Sequence, residues 1–242
     1  CCLFLAHSFK EARQPTTEFE SMWKGHFPGR STIPVSLGRH ALWHFLEFSD
    51  LKPGDEVLVA AYNYYVVVRL IIQKNLVPIF VDVDPKTLCM DKNDLASKIT
   101  SKSRLVVATH MYGHPANMTA IQATCREEKI LLFEDCAHGV GSTHDGRSVG
   151  SFGDAALFSF GINKLVSALG GGMLVIDPTY TNWDEVVKTR RNRIPARRLV
   201  EEVVGDDLLV KVVVGRVRVD GHVWRLRVLV GSLLVDVAHD LV

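Results

Sequence analysis

Ile130-Leu131-Leu132-Phe133-Glu134-Asp135-Cys136-Ala137-His138 opens on an apolar run that ends on two carboxylates. A short continuous run of large apolar residues that stops on a polar one reads as a strand buried on both faces. Further on, Ala155-Ala156-Leu157-Phe158 stops in the same way on Ser159, and Phe160-Gly161-Ile162-Asn163-Lys164 follows. Working outward, Glu56–Ala60, Pro78–Val83, Arg104–Thr109 and Gly172–Ile176 share the Val/Ile/Leu/Phe-rich character of strands. Arg39–Phe48, Tyr65–Lys74, Lys92–Ile99 and Asn117–Lys129 read as the helices between them. Strands alternating with helices from residue 36 to about 176 predict an α/β layer structure with a mostly parallel central sheet. Lys52-Pro53-Gly54-Asp55 and Asp84-Pro85 punctuate the strands as turns. Ligands of such sheets bind outside the carboxyl ends of the strands, the edge at which Asp135 and Ser159 fall.

The 242 residues are 47% hydrophobic and 23% charged, which suits an ordinary globular chain with a sizeable core. The net charge of +1 gives no global attraction for nucleic acid. Five cysteines without CxxC or zinc-like spacing read as reduced thiols of a cytoplasmic protein. No apolar run is long enough to span a bilayer. Cys1-Cys2-Leu3-Phe4-Leu5-Ala6 lacks the basic flank of a signal peptide. A first residue other than Met reads as a fragment or a processed product.

The chemistry concentrates at a few positions. A lysine whose amine attacks a carbonyl carbon, and a separate aspartate that holds a pyridinium nitrogen protonated, are the groups that pyridoxal 5′-phosphate (PLP) chemistry needs. Lys164 and Asp135 fit those roles, although a strand-terminal Asp also serves as a plain turn cap. The apolar flanks of Lys164 (Phe160, Ile162, Leu165 and Val166) argue against an ordinary surface lysine. The Ser159 hydroxyl can donate to a phosphate. Gly38-Arg39 opens a helix, where backbone N–H groups and the helix dipole favour an anion. Tyr62-Asn63-Tyr64-Tyr65, after the first predicted strand, offers an aromatic to stack on a planar ring, or simply a core cluster. His110, His114, His138 and His144 place no pair one turn apart within a readable helix and lack the carboxylate company of a metal centre, so no metal is expected.

Together these segments resemble the DegT/StrS family of sugar aminotransferases, PLP enzymes of the aspartate-aminotransferase fold. The resemblance rests on Leu51-Lys52-Pro53-Gly54-Asp55-Glu56-Val57, Val77-Pro78-Ile79-Phe80-Val81-Asp82-Val83-Asp84 and Met111-Tyr112-Gly113-His114-Pro115-Ala116-Asn117-Met118. It continues in Glu134-Asp135-Cys136-Ala137-His138-Gly139-Val140-Gly141, then from Gly150-Ser151-Phe152-Gly153-Asp154 through Ser159 and Lys164 to Gly170-Gly171-Gly172. It covers about residues 34 to 176. The resemblance implies a three-layer large domain with helices on both faces of the sheet. Residues 1–180 would form this PLP-binding domain. Residues 181–242 would be a partial or atypical C-terminal segment in place of a complete small domain. It makes Lys164 the Schiff-base lysine and Asp135 the partner of the ring nitrogen. Ser159, with the amides of Gly38 and Arg39, would hold the phosphate. Tyr64 would stack on one ring face and Ala137 lie against the other, with His138 near the ring hydroxyl.

The chain departs from that family pattern in two places. Leu37-Gly38-Arg39 stands where Ser-Gly-Thr is usual. Arg190-Arg191-Asn192-Arg193-Ile194-Pro195-Ala196-Arg197-Arg198 replaces the loop that reaches a neighbouring subunit. Beyond about residue 199 the chain is Val-rich and β-prone, with few turn signals. The implied reaction moves an amino group from glutamate to a nucleotide-linked keto sugar in polysaccharide biosynthesis, in a cytoplasmic homodimer, with no nucleic-acid or membrane partner. The alternatives are another PLP reaction on the same fold, a dehydration or elimination, or a non-catalytic regulatory remnant. The family's dehydratases carry His in place of the lysine, which favours amino transfer.

Overall fold

The computed structural model describes residues 14–168 and 170–180, and the strand segments 210–212, 224–230 and 233–239. The chain divides into two compact units, Cys1–Arg191 and Asn192–Val242.

In the first unit, helix α1 (Gln14–His26) leads into β1 (Ser31–Val35), α2 (Gly38–Phe48), β2 (Glu56–Ala60), α3 (Tyr65–Gln73) and β3 (Val77–Val81). Then follow α4 (Lys92–Lys98), β4 (Ser103–Thr109), α5 (Met118–Glu128), β5 (Leu131–Asp135) and a small hairpin of β6 (Thr143–His144) and β7 (Arg147–Ser148). The last two strands are β8 (Ala155–Ser159) and β9 (Gly172–Ile176). Seven strands form one sheet in the order β1-β9-β8-β5-β4-β2-β3. β3, β2, β4, β5 and β8 pair in parallel, and β9 alone runs against both its neighbours, β8 and β1.

β2 and β9 begin and end where their apolar runs do, and the other expected elements differ from the observed ones by one or two residues. α1 and β1 lie outside the sequence expectation. Pro34 argues against a strand, yet β1 sits at the sheet edge, where a missing N–H is tolerated. At the other edge Pro78 sits within β3, and Lys98 Nζ donates to the Phe80 carbonyl at 2.7 Å, which blunts an exposed strand. Polar side chains start two helices. Asp91 accepts the N–H groups of Asn93 and Asp94 ahead of α4, and Asn117 accepts that of Ala120 ahead of α5.

Alternation along the strands sorts side chains into two layers. Leu58, Val106 and Leu132 point toward Leu95 of α4 and Ile121 of α5. Phe133, the next residue along β5, meets Phe45 of α2 on the opposite face, with ring centroids 4.9 Å apart. α2 also packs on β8, β9 and α3. Trp23 of α1 and Phe27, just past its end, close over Phe158. The result is three layers, with the sheet between helices. Within α2, His40 is 2% exposed and neither of its ring nitrogens has a hydrogen-bond partner.

Going along the sheet, β3 lies on one side of β2 and β4 on the other. The connections leaving the carboxyl ends of β2 and β4 therefore diverge, and such a reversal opens a crevice. No helix among the described residues is long and apolar enough to cross a membrane.

The second unit contains an antiparallel three-stranded sheet, β10 (Val210–Val212), β11 (Trp224–Val230) and β12 (Leu233–His239), in that order. This agrees with the β propensity of the Val-rich segment. The Arg190–Arg198 stretch lies outside the described residues.

Candidate active site

The crevice at the strand reversal is a cleft of about 230 Å³. Tyr62, Asn63 and Tyr64 enter it from the end of β2, and Thr109, Met111 and Tyr112 from the end of β4. Asp135, Ala137 and His138 come from the end of β5, and Lys164 from the loop between β8 and β9. Five positions singled out in the sequence, Tyr64, Asp135, Ala137, His138 and Lys164, thus share one cavity.

Asp135 ends β5 and is 5% exposed. Its Oδ1 accepts the Ala137 N–H at 2.9 Å, and its backbone carbonyl accepts the His110 N–H at 3.0 Å. Burial pushes the carboxyl above its ordinary range, against the Ala137 hydrogen bond and the charges of Lys164, His110 and His138. Burial also lowers the Lys164 amine, against the attraction of Asp135. Desolvation therefore outweighs the mutual attraction on both sides of the pair. A lysine shifted in this direction has a larger nucleophilic fraction near neutral pH.

The loop that carries Lys164 is tied at its base. Phe160 N–H donates to the Gly171 carbonyl at 3.0 Å, and the Phe160 carbonyl accepts from Ala168 and Gly170 at 2.9 and 3.2 Å. Lys164 N–H donates to the Gly161 carbonyl at 3.0 Å. Phe160 is buried, but Ile162 and Leu165 are 72% and 78% exposed. The apolar flanks therefore do not bury the lysine; its position in the cleft wall half-buries it.

The opposite wall is aromatic. The Tyr112 ring stacks on His138, with centroids 5.5 Å apart and planes 11° from parallel. The Tyr112 and Tyr62 hydroxyls are hydrogen bonded at 2.7 Å. Tyr112 takes the left-handed conformation, φ 51° and ψ 33°, and a non-glycine residue held there marks local strain of the kind found at working sites. Burial, followed by the charge of Lys164, lowers the His138 pKa against the pull of Asp135. Burial raises that of Tyr64, while the charge of Arg39 opposes it.

Gly38, Ser159 and Gly172 converge at the start of α2. A Cβ on Gly38 would stand 2.7 Å from Ser159 Cβ and 3.1 Å from its hydroxyl, and one on Gly172 would stand 2.6 Å from the Gly38 nitrogen. Leu37 precedes the helix without a side-chain cap; its carbonyl accepts the His40 N–H at 2.9 Å, and no side chain of Leu37 caps the Gly38 and Arg39 amides. Among the described residues no hydrogen bond engages the Ser159 hydroxyl or Asp135 Oδ2. Gly38, Arg39 and Ser159 are not among the residues that line the cleft; their helix start and free hydroxyl suit the phosphate of PLP, while the half-buried lysine and the carboxylate with one open oxygen in the cleft suit its aldehyde carbon and ring nitrogen.

Thr109, Met111 and Tyr112 were not among the candidate cofactor residues of the sequence, and Tyr62 and Asn63 entered only as neighbours of Tyr64 in the aromatic cluster. Their signal was the one that located Asp135: each lies at or just past the carboxyl end of a central strand. His110 does gain carboxylate company, since ligand atoms of His110, Glu134 and Cys136 lie within 4.8 Å of one another. Their lone pairs are already engaged. His110 Nδ1 accepts the Ala116 N–H at 3.1 Å, so its proton sits on Nε2, which donates to Glu134 at 3.2 Å. Both Glu134 oxygens accept further N–H groups. Burial and the adjacent Glu134 and Asp135 keep the Cys136 thiol protonated.

The sequence profile of the DegT/DnrJ/EryC1/StrS aminotransferase family matches residues 7–204. The GDP-perosamine synthase of Escherichia coli O157:H7 is 39% identical over 141 residues, which are 58% of this chain and 39% of that protein. Among solved structures, 3-amino-5-hydroxybenzoic acid synthase superposes with a TM-score of 0.67 at 29% identity, over 71% of this chain and 44% of that one. The E. coli GDP-4-keto-6-deoxy-D-mannose-3-dehydratase with bound hydrated PLP gives 0.63 at 26% identity, over 66% and 43%. The chain thus spans about two fifths of the length of these relatives.

Proposed function

From the premise that this chain belongs to the DegT/DnrJ/EryC1/StrS aminotransferase family, we propose that it is the cofactor-binding part of a PLP-dependent enzyme that transfers an amino group from glutamate to a nucleotide-linked keto sugar. In this reading residues 1–180 are the cofactor-binding domain and residues 181–242 a partial C-terminal segment. The observation that carries it is the convergence of Lys164, Asp135, Tyr64, Ala137 and His138 on one cleft.

The cofactor is pyridoxal 5′-phosphate. When bound, it supplies a ring that takes up the electron pair left as a proton leaves the amino-bearing carbon. Every other task falls to side chains and amides of this chain. Ser159 and the first amides of α2 bind the phosphate. Tyr64 and Ala137 would enclose the ring, and His138, stacked on Tyr112, would donate to its hydroxyl. Asp135 keeps the proton on the ring nitrogen, because a buried carboxylate beside that atom favours its charged form. Lys164 would hold the cofactor's aldehyde carbon and, as a free amine, would serve as the base that moves the proton.

Retention of a lysine at position 164 favours amino transfer over dehydration. The relative that makes GDP-perosamine supports a nucleotide-sugar acceptor. Buried free thiols at Cys89, Cys125 and Cys136 support a reducing, cytoplasmic setting. Exposed Tyr64, Tyr65, Ile162 and Leu165 around the cleft mouth support a homodimer in which a second copy covers it.

The test is to incubate the chain with PLP and glutamate and measure 2-oxoglutarate. Borohydride reduction and peptide mapping then locate the attachment. Stoichiometric 2-oxoglutarate with the label on the Lys164 peptide is expected. Bound PLP with no label on that peptide, or no binding at all, overturns the reading.

A further inference from the structure

Glu134 is 0% exposed and sits next to Asp135, with its side chain on the other face of β5. A carboxylate so deep in the protein needs strong compensation, and here it has four donors. Oε1 accepts from Phe152 and Gly153, each at 2.7 Å. Oε2 accepts from Gly150 at 2.7 Å and from His110 Nε2 at 3.2 Å. Burial alone pushes the Glu134 carboxyl up; the His110 hydrogen bond and the glycine amides outweigh it and hold the group below the ordinary carboxylate range.

Two features make this more than local compensation. The loop around Glu134 is fixed from outside as well as inside. Its amides point in to the carboxylate, while the Gly153 and Ser151 carbonyls accept from Arg30 at 2.8 and 3.0 Å. The second feature is His110. Its ring spans from Glu134 to the Ala116 amide, and its own N–H holds the Asp135 carbonyl. It also backs the turn after Asp135, since a Cβ on Gly139 would stand 3.1 Å from His110 Cβ.

We propose that Glu134 is a positioning residue: through the His110 ring it fixes the end of β5 and the following turn, and so sets where the Asp135 carboxylate and the His138 ring stand in the cleft. Exchanging its oxygen for an amide would aim an N–H at N–H donors. The new NH2 would face the Phe152 and Gly153 amides in place of Oε1, or the Gly150 amide and the His110 ring in place of Oε2; either way two donors lose their acceptor, the charge that holds the His110 ring is gone, and the tie between β4 and β5 beneath Asp135 would loosen.

The experiment uses Glu134→Gln with Arg30→Gln as control, since Arg30 grips the same loop only by its carbonyls. Amide exchange is followed in the full chain without cofactor. In Glu134→Gln the His110 and Ala137 amides, the two that hold Asp135, exchange at least about tenfold faster relative to the Val57 and Val59 amides of β2. In Arg30→Gln the thermal midpoint falls with no such selective change. With PLP bound, the pH at which the cofactor's absorption changes moves in Glu134→Gln and stays put in Arg30→Gln. Where Glu134→Gln does not fold, Glu134→Asp, which keeps the charge on a shorter arm, is read the same way. Uniform acceleration of all amides, with an unmoved absorption titration, overturns the proposal. The cofactor's role for Asp135 rests on the aminotransferase reading, but the exchange measurement does not. A wild-type chain that takes up no PLP sinks that reading and leaves this test intact.

Discussion

The main chain of Gly38 lies against the side chain of Ser159 so closely that a methyl group on Gly38 would stand 2.7 Å from Ser159 Cβ. The start of α2 and the end of β8 are thereby locked face to face. Gly38→Ala should push them apart and weaken PLP binding by about tenfold or more, because the amides and the hydroxyl then no longer address one phosphate. Equilibrium dialysis against PLP measures this. Unchanged affinity would remove the α2 start from the cofactor site.

Asp135→Asn should still allow covalent attachment at Lys164, since attachment does not require a charged ring nitrogen partner. Glutamate-dependent 2-oxoglutarate formation should fall by about a hundredfold or more, the scale expected when proton stabilisation is lost at a reacting group. Single-turnover kinetics decide it. A near-normal rate would exclude Asp135 from the chemistry.

Tyr62→Phe removes the hydroxyl that meets Tyr112 at 2.7 Å. The left-handed Tyr112 then loses one of the contacts that hold it, and its ring is free to leave His138. The expected readout is a rise in KM for the donor amino acid with little change in PLP affinity. A parallel loss of PLP affinity would place the tyrosine pair in cofactor retention instead.

Acid sensitivity should trace to His40. Burial, then the neighbouring His44 and Arg39, lowers its pKa from 6.5 to about 4. The unfolded chain therefore takes up this proton first. Stability is full above the ordinary value and declines as pH falls from 6.5 toward 4. The loss approaches about 3 kcal/mol at the acid end, as an order of magnitude. His40→Leu should raise the thermal midpoint at neutral pH, because two unsatisfied buried nitrogens are removed, and should flatten the acid limb. Parallel acid limbs in the two proteins would assign the sensitivity elsewhere.

The central strands were legible because each is an apolar run stopped by a turn residue or a carboxylate, and Asp135 and Ser159 were legible because they stop two of them. α1 and β1 were not. Pro34 hides an edge strand, and the helix 14–26 is largely polar. Tyr112 and Glu134 were illegible as site residues for a different reason. Their roles depend on which strand lies beside which, and the pairing of β4 with β5 brings His110 to Glu134 across a long separation in sequence. The apolar surroundings of Lys164 pointed to the right residue for an incomplete reason, since only Phe160 of that set is buried.

The tied base of the Lys164 loop bears on how turnover repeats. Phe160 and Gly171 are joined across neighbouring antiparallel strands, so the lysine rides on a short tether whose two ends cannot separate without breaking the sheet. In the proposed reaction, a Lys164 amine displaced by the donor would stay within a small swept volume around the carbon it had held. Its return is then a unimolecular event at high effective concentration, in which no outside amine competes on equal terms.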